Sequence, residues 1–302
     1  MAVSNQPLVL TIVGANFTIP GQVYTLQPTS NKPMTNKISS WTINWGDGIV
    51  QTFVGNPSAV THTYAAISGA YTISASAQDP TGTHAASNTI TVNASFPSPN
   101  QNFVAQLYHD LLNRPVETFG LASWSGFLSA GGSRSAVVQG IEASQEYRTD
   151  VIDNLYETIL GRVADKNGLA AFLEMTQIGG TIEQVKAALM GSQEFFVRTG
   201  GSNDAFVEAV YQNALGRNAD ADGKINWLNR LSQGATRQQV ADLILRSEEA
   251  TDVLVGKLYQ QFLHRPADDA GLQGWVTDIM NGMSAELIAA FIAGSQEYFN
   301  RF

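Results

Sequence analysis

Four residue types recur through the last two hundred positions of this chain at a single set of intervals, and no other feature limits its fold as much. Tyr108, Tyr156, Tyr211 and Tyr259 are 48, 55 and 48 residues apart. Arg114, Arg162, Arg217 and Arg265 keep this spacing, as do Gly120, Gly168, Gly223 and Gly271, and Ser144, Ser192, Ser247 and Ser295. A period of this length means one supersecondary unit copied in tandem, each copy burying its apolar face on its neighbours. The chain therefore holds four copies, with a seven-residue insertion around "TGGSNDA" dividing them into two pairs.

Each copy predicts three helices. The first, "FVAQLYHDLLNR" in copy one and "FVEAVYQNALGR" in copy three, is apolar at i, i+3, i+4 and i+7. An acid stands three residues before each glycine, at Glu117, Asp165, Asp220 and Asp268, where it caps the second helix and meets its dipole. Trp124, Phe172, Trp227 and Trp275 follow on the apolar face, a core position. The third helix opens at Ser133, Thr181, Thr236 and Ser284, with capping boxes closed by Gln184 and Gln239, and it ends in "SQEY", "SQEF", "SEEA" and "SQEY". The four arginines are placed to clamp Glu146, Glu194, Glu249 and Glu297. Copy three has Glu248 and Ala250 where its siblings have glutamine and an aromatic, which puts one packing contact in doubt.

The first hundred residues follow another period. From Leu8 to Val92 short alternating runs such as "LVLTIVG", "SWTINWG" and "NTITVNA" are punctuated by glycine, proline and asparagine, the pattern of a β-sandwich. The expected divisions are 1–95 for the β module, a 96–102 linker, 103–198 for the first helical pair, a 199–205 linker and 206–302 for the second pair.

Charge separates the two parts. Residues 1–100 carry only Lys32, Lys37, Asp47 and Asp79, so the whole net charge of −9 belongs to residues 101–302. With no basic face to neutralise phosphates, nucleic acid is excluded as a partner. The absence of cysteine excludes disulfides, thiolate zinc sites and a cysteine nucleophile. No apolar run reaches the roughly 18–20 residues that span a bilayer. The opening residues read as a strand, without the charged start of a secretory signal. That leaves three possibilities: removal of such a signal, export without one, or no export. The final "SQEYFNRF" is a candidate uncleaved secretion signal.

One stretch has the look of a metal loop. "NADADGKINWLN" places Asn218, Asp220 and Asp222 at alternate positions before Gly223, then offers the Lys224 carbonyl, Asn226 and Asn229, the oxygen pattern of a calcium loop. It resembles the calcium half-loop of dockerin modules, with asparagine in place of the first and last acidic ligands. Copy two offers Asp165, Asn167 and Glu174 but has Val163 in the first place, and copies one and four lack the pattern. An N-cap explains the acid in all four copies, whereas calcium is a reading of copy three alone; both stand at this point. No HExxH, G-x-S-x-G, phosphate loop or dinucleotide fingerprint occurs, and His62, His84, His109 and His264 sit in unrelated contexts. Fourfold repetition multiplies surfaces, whereas a reaction centre is one asymmetric site, so an enzyme ranks last.

"SWTINWGDG" (Ser40 to Gly48), "THTY" (Thr61 to Tyr64) and "SGAYTISASAQD" (Ser68 to Asp79) together resemble the polycystic kidney disease (PKD) domain, an immunoglobulin-like sandwich of extracellular proteins. The resemblance implies a buried Trp45, a tight turn at Gly46 to Gly48, and buried Tyr64 and Tyr71. "TSNKPMTNK" is then an elaborated loop and a candidate contact surface. "LYETILGRVADKNGLAAF…LMGSQEF" and its three siblings resemble a bacterial helical domain family of unknown function. That family occurs in large secreted and surface-layer proteins and is similar to phycobilisome linker repeats. The expected fold is multidomain, β then α: an immunoglobulin-like β-sandwich followed by an all-helical domain of four three-helix repeats.

The expected function is structural and non-enzymatic. In this view a bacterial protein, secreted or on the cell surface, self-assembles as a homo-oligomer or polymer into a surface layer, sheath or filament stabilised by calcium. The alternatives are an adhesive module for cell-surface polysaccharide and a viral virion decoration protein.

Overall fold

The computed structural model describes residues 8–31, 38–65 and 68–302, which contain nine strands and fourteen α-helices. Two compact units result. One takes residues up to 109 with 113–130 and 302; the other takes 110–112 and 131–301.

In the first unit the strands are β1 (Leu10–Gly14), β2 (Phe17–Thr18), β3 (Val23–Ser30), β4 (Ser40–Asn44), β5 (Val50–Val54), β6 (Val60–Thr63), β7 (Gly69–Asp79), β8 (Gly82–Ala85) and β9 (Ile90–Ala94). One sheet runs β1-β3-β6; the other runs β2-β9-β7-β4-β5, with β8 on β7. Alternation buries one face of each sheet, as in β3, where Tyr24 and Leu26 are buried and Thr25 and Gln27 exposed. Leu10, Ile12 and Leu26 of one sheet meet Trp41, Ile43 and Ile73 of the other, forming an immunoglobulin-like β-sandwich.

The turn after β4 follows from its glycines. Gly46 and Gly48 have φ of 85° and 90°, and a Cβ on Gly46 would collide with the Thr72 backbone. Asp47 Oδ1 accepts the Ile49 N–H at 3.1 Å, completing the turn. Trp45 and Tyr64 are fully buried, and the Tyr64 hydroxyl donates to the Trp45 carbonyl at 3.1 Å. Tyr71 departs from expectation: it is only half-buried, stacked on Tyr64 with ring centroids 4.4 Å apart. The elaborated loop expected around Thr29 to Lys37 lies largely outside the described residues.

The helices come in like sets. The first set is α1 (Pro99–Leu112), α2 (Thr118–Ser129) and α3 (Arg134–Glu142). The second is α4 (Gln145–Leu155, continued by a π-helical turn to Leu160), α5 (Lys166–Gln177) and α6 (Ile182–Met190), followed by the short α7 (Gln193–Arg198). The third is α8 (Asn203–Leu215), α9 (Ala221–Ser232) and α10 (Arg237–Leu245). The fourth is α11 (Glu248–Leu263), α12 (Asp269–Met280) and α13 (Ala285–Ala293), followed by α14 (Gln296–Phe299). Every second helix has 12 residues and every third helix 9.

The "SQE" segments do not end the third helix. Ser144, Ser192, Ser247 and Ser295 each accept the backbone N–H three residues on, at 3.1–3.2 Å, and so start a new helix. After α3 and α10 that helix is the first of the next set; after α6 and α13 it is the short α7 or α14. None of the helices among the described residues is long and apolar enough to cross a membrane.

Candidate functional site

The repeated anchors come together in the second, third and fourth sets. Each first helix ends on a left-handed residue, Asn113, Gly161, Gly216 or His264, which turns the following arginine back over the helix. Arg162, Arg217 and Arg265 lie 5.0, 5.3 and 5.2 Å from the ring centroids of Tyr156, Tyr211 and Tyr259. Each reaches across 32 residues to a glutamate by two bonds: Arg162 to Glu194 at 2.6 and 2.7 Å, Arg217 to Glu249 at 2.5 and 2.7 Å, Arg265 to Glu297 at 2.6 and 2.8 Å. The guanidiniums hold these carboxyls below their ordinary range. Arg114 bonds Glu117 at 2.8 Å and lies over Tyr108.

Asp165, Asp220 and Asp268 cap α5, α9 and α12 by accepting the N–H of Gly168, Gly223 and Gly271 at 2.9, 2.7 and 2.9 Å, and these bonds lower their pKa. Glu117 occupies the same place before α2 without a cap of that geometry; its carboxyl lies beside Gly120 and bonds Arg114. A Cβ on Gly168, Gly223 or Gly271 would meet the hydroxyl of Tyr156, Tyr211 or Tyr259. Trp227 and Trp275 donate their indole N–H to Tyr211 and Tyr259 at 3.0 and 3.2 Å. Tyrosine, arginine, acid, glycine, aromatic and distant glutamate thus form one joint, repeated, with little left to offer a ligand.

The calcium residues of the third set have identifiable partners. The Asn218 side chain accepts from Gln212, and Asp220 caps α9 and takes Arg217 Nη1 at 3.4 Å. Asp222 lies in the first turn of α9, where a carboxylate favours the dipole. Lys224 sends its ammonium to Glu208 and Asp204, at 3.0 and 3.4 Å. Asn226 lies one turn further along α9. Among the described residues no group of three or more histidines, aspartates or glutamates is arranged to hold a metal ion.

The β module presents a different surface. Its two described acids are used internally. Asp47 Oδ2 meets His62 Nε2 at 2.7 Å. Asp79 is buried, accepts the Thr81 hydroxyl at 2.6 Å and the Thr81 N–H at 2.7 Å, and is held at a pKa of about 2, chiefly by Thr81. The sheet edges also differ. The outer side of β1 is covered, because Asn88 accepts from Ile12 N–H at 3.0 Å and donates to its carbonyl at 2.8 Å, while Ser87 bonds the Leu10 carbonyl. β2 has only two residues. β5, "VQTFV", is an edge of five residues whose outer side takes no partner among the described residues. Val50 and Val54 are 57% and 90% exposed, with no charge between Ile49 and Gly55. An apolar, uncharged edge of this kind favours pairing with another chain.

Comparison with known proteins follows these regions. Residues 88–151, 186–254 and 250–302, together more than half of the chain, match the family described as "Domain of unknown function (DUF4214)", and the chain belongs to that family. Two solved structures are similar over 32% of the chain. One is the PKD domain of an M14-like peptidase from Thermoplasmatales archaeon SCGC AB-540-F20, matched over its full length at 21% identity and a TM-score of 0.25. The other is the PKD domain of the human VPS10 domain-containing receptor SorCS2, matched over 85% of its length at 21% identity and a TM-score of 0.24. No curated protein matches the chain.

Proposed function

We propose that this member of the DUF4214 family is a bacterial structural protein without catalytic activity, secreted or held at the cell surface. Its copies assemble into a layer, sheath or filament through the β module. In this proposal residues 103–198 and 206–302 are two pairs of one family unit, and the copies meet edge to edge along β5. The observation that carries the proposal is the contrast between sheet edges: β1 is closed by Ser87 and Asn88, whereas β5 leaves Val50 and Val54 outward with no charged residue between Ile49 and Gly55. The helical repeats supply the opposite property, because their recurring charges are spent on one another.

Sedimentation and negative-stain imaging of the full chain over a concentration series, with and without calcium, test this directly. Concentration-dependent growth into regular arrays or fibres is the expected result. A monomer at the highest concentration in both conditions overturns it, and retention on cell-wall polysaccharide by that monomer would establish an adhesive module instead.

A further inference from the structure

Two cavities in the second compact unit occupy matching places. One, of about 350 Å³, is lined by Glu142, Tyr147, Arg148, Thr176 and Glu286. The other, of about 380 Å³, is lined by Leu245, Thr251, Ile279 and Glu183. Positions 142 and 245, 148 and 251, and 176 and 279 are each 103 apart, as are 183 and 286 with the halves exchanged. The helix pairs around them match as well. α6 packs on α10, whose Arg237 reaches α7, bonding Gln193 at 2.7 Å and lying over Phe196; α13 packs on α3, whose Arg134 reaches α14, bonding Gln296 at 2.8 Å and lying over Phe299. The second cavity is therefore an internal control for the first.

The two are furnished differently. Glu142 stands at a third-helix position that holds Met190, Leu245 and Ala293 in the other sets. It is 7% exposed, and its Oε1 has no hydrogen-bond partner. A buried carboxyl without a partner is costly, and apolar siblings show that the fold does not need it there. In the second cavity Glu183 has Lys186 at 3.8 Å; the matching position on α13 is Ala289. Glu286 accepts the Ile182 N–H at 3.3 Å and has no ion pair among the described residues. Arg148 lines the same cavity without an ion pair to either carboxyl. The first cavity thus has one carboxyl more and one ammonium fewer than its twin.

We propose that this cavity binds a small molecule bearing a protonated primary amine. The ammonium sits against Glu142 and Glu286, supplying the counter-charge that Lys186 gives Glu183, and Arg148 receives an anionic group at the other end of the ligand. The oxygens of the two carboxyls match the three donors of an ammonium, and among the described residues no group of three or more carboxylates or histidines is arranged there for a metal ion. The titratable groups around Glu142 are Glu286 on α13 and Tyr147 and Arg148 on α4, while Glu183 on α6 acts on Glu286 and Tyr147. Burial, reinforced by Glu286, pushes the Glu142 carboxyl up to about 8, so the empty site holds a proton at neutral pH. Ammonium binding ionises Glu142 and releases that proton to solvent, so affinity rises about tenfold per pH unit below that value.

Calorimetric titration of the full chain with 4-aminobutyrate, butylamine and butyrate tests the proposal. Both amines bind, 4-aminobutyrate more tightly, and butyrate does not; one proton is released per amine at pH 6.5. Glu142→Leu, which installs the residue of the twin and stays folded, weakens the amines at least tenfold. Glu142→Gln removes the proton release, and Arg148→Thr removes the advantage of 4-aminobutyrate over butylamine. Absence of heat with all three probes at millimolar concentration, butyrate binding as well as the amines, or unchanged amine binding by a folded Glu142→Leu variant each overturns it.

Discussion

The β module and the helical repeats solve the problem of surface in opposite ways. In the helical repeats, charge is abundant and consumed: each arginine that recurs at the end of a first helix is held by an aromatic ring, a cap aspartate and a distant glutamate in the second, third and fourth sets. The third helices are likewise paired internally, α6 with α10 and α13 with α3. In the β module, charge is nearly absent, the two described acids are engaged, and β5 keeps an open apolar edge. Repetition does not by itself mean extension. Interfaces satisfied within one chain leave less surface for another.

The largest expected effect separates a core built once from a joint built several times. Trp45 is fully buried and donates its indole N–H to Gln51 at 2.7 Å. Trp45→Ala should cost about 3–5 kcal/mol in denaturant unfolding. Arg217→Ala, at a two-fifths exposed side chain, should lower the melting temperature measurably less. A larger loss for Arg217→Ala would reverse the contrast.

Next in size is a pH effect in the helical unit. The Glu142 carboxyl, ordinarily near 4.5, is raised to about 8 in the folded protein. The folded chain therefore keeps a proton that the unfolded chain releases, and stability contributed by this group falls as pH climbs from 4.5 to 8, then levels. Melting curves across that window should show Glu142→Gln losing less stability than the wild type. Parallel curves would remove Glu142 from the account.

A smaller effect concerns the one set that breaks its pattern. Ala250 stands where Tyr147, Phe195 and Tyr298 stand in the others, and it lines a cavity of about 270 Å³ with Met190 and Leu245. Ala250→Phe should fill part of that space and raise stability by about 1–2 kcal/mol. A destabilised variant would mean the surroundings have already repacked around alanine.

Much of this was legible in the sequence because it is periodic. The spacing of Tyr108, Arg114, Gly120 and Ser144 with their siblings located the helices, and the clamp followed from an arginine and a glutamate kept in step. The role of Ser144 and its counterparts was harder to read, because a serine that ends one helix also caps the next; only the backbone N–H it accepts decides. The Asp220 cluster reads in the sequence as a cap in every copy and as a calcium loop in copy three; the structure shows the cap, with Asp220 accepting the Gly223 N–H. Glu142 lies in no motif, so nothing around it in the sequence marks it. Its signal was available only by lining up the third helices from Ser133, Thr181, Thr236 and Ser284, and its meaning depended on knowing that α3 faces α13. In β5 nothing local distinguishes an open edge from a paired strand, since pairing is decided by strands distant in sequence.

The most direct measurement is sedimentation of the full chain carrying lysines at one region or the other. Thr52→Lys with Val54→Lys charges the outward face of β5; Ile225→Lys with Leu243→Lys charges exposed apolar positions on α9 and α10. Association of the wild-type chain, lost with the β5 pair and kept with the helical pair, is the predicted result. Association that survives the β5 pair and disappears with the helical pair would contradict it.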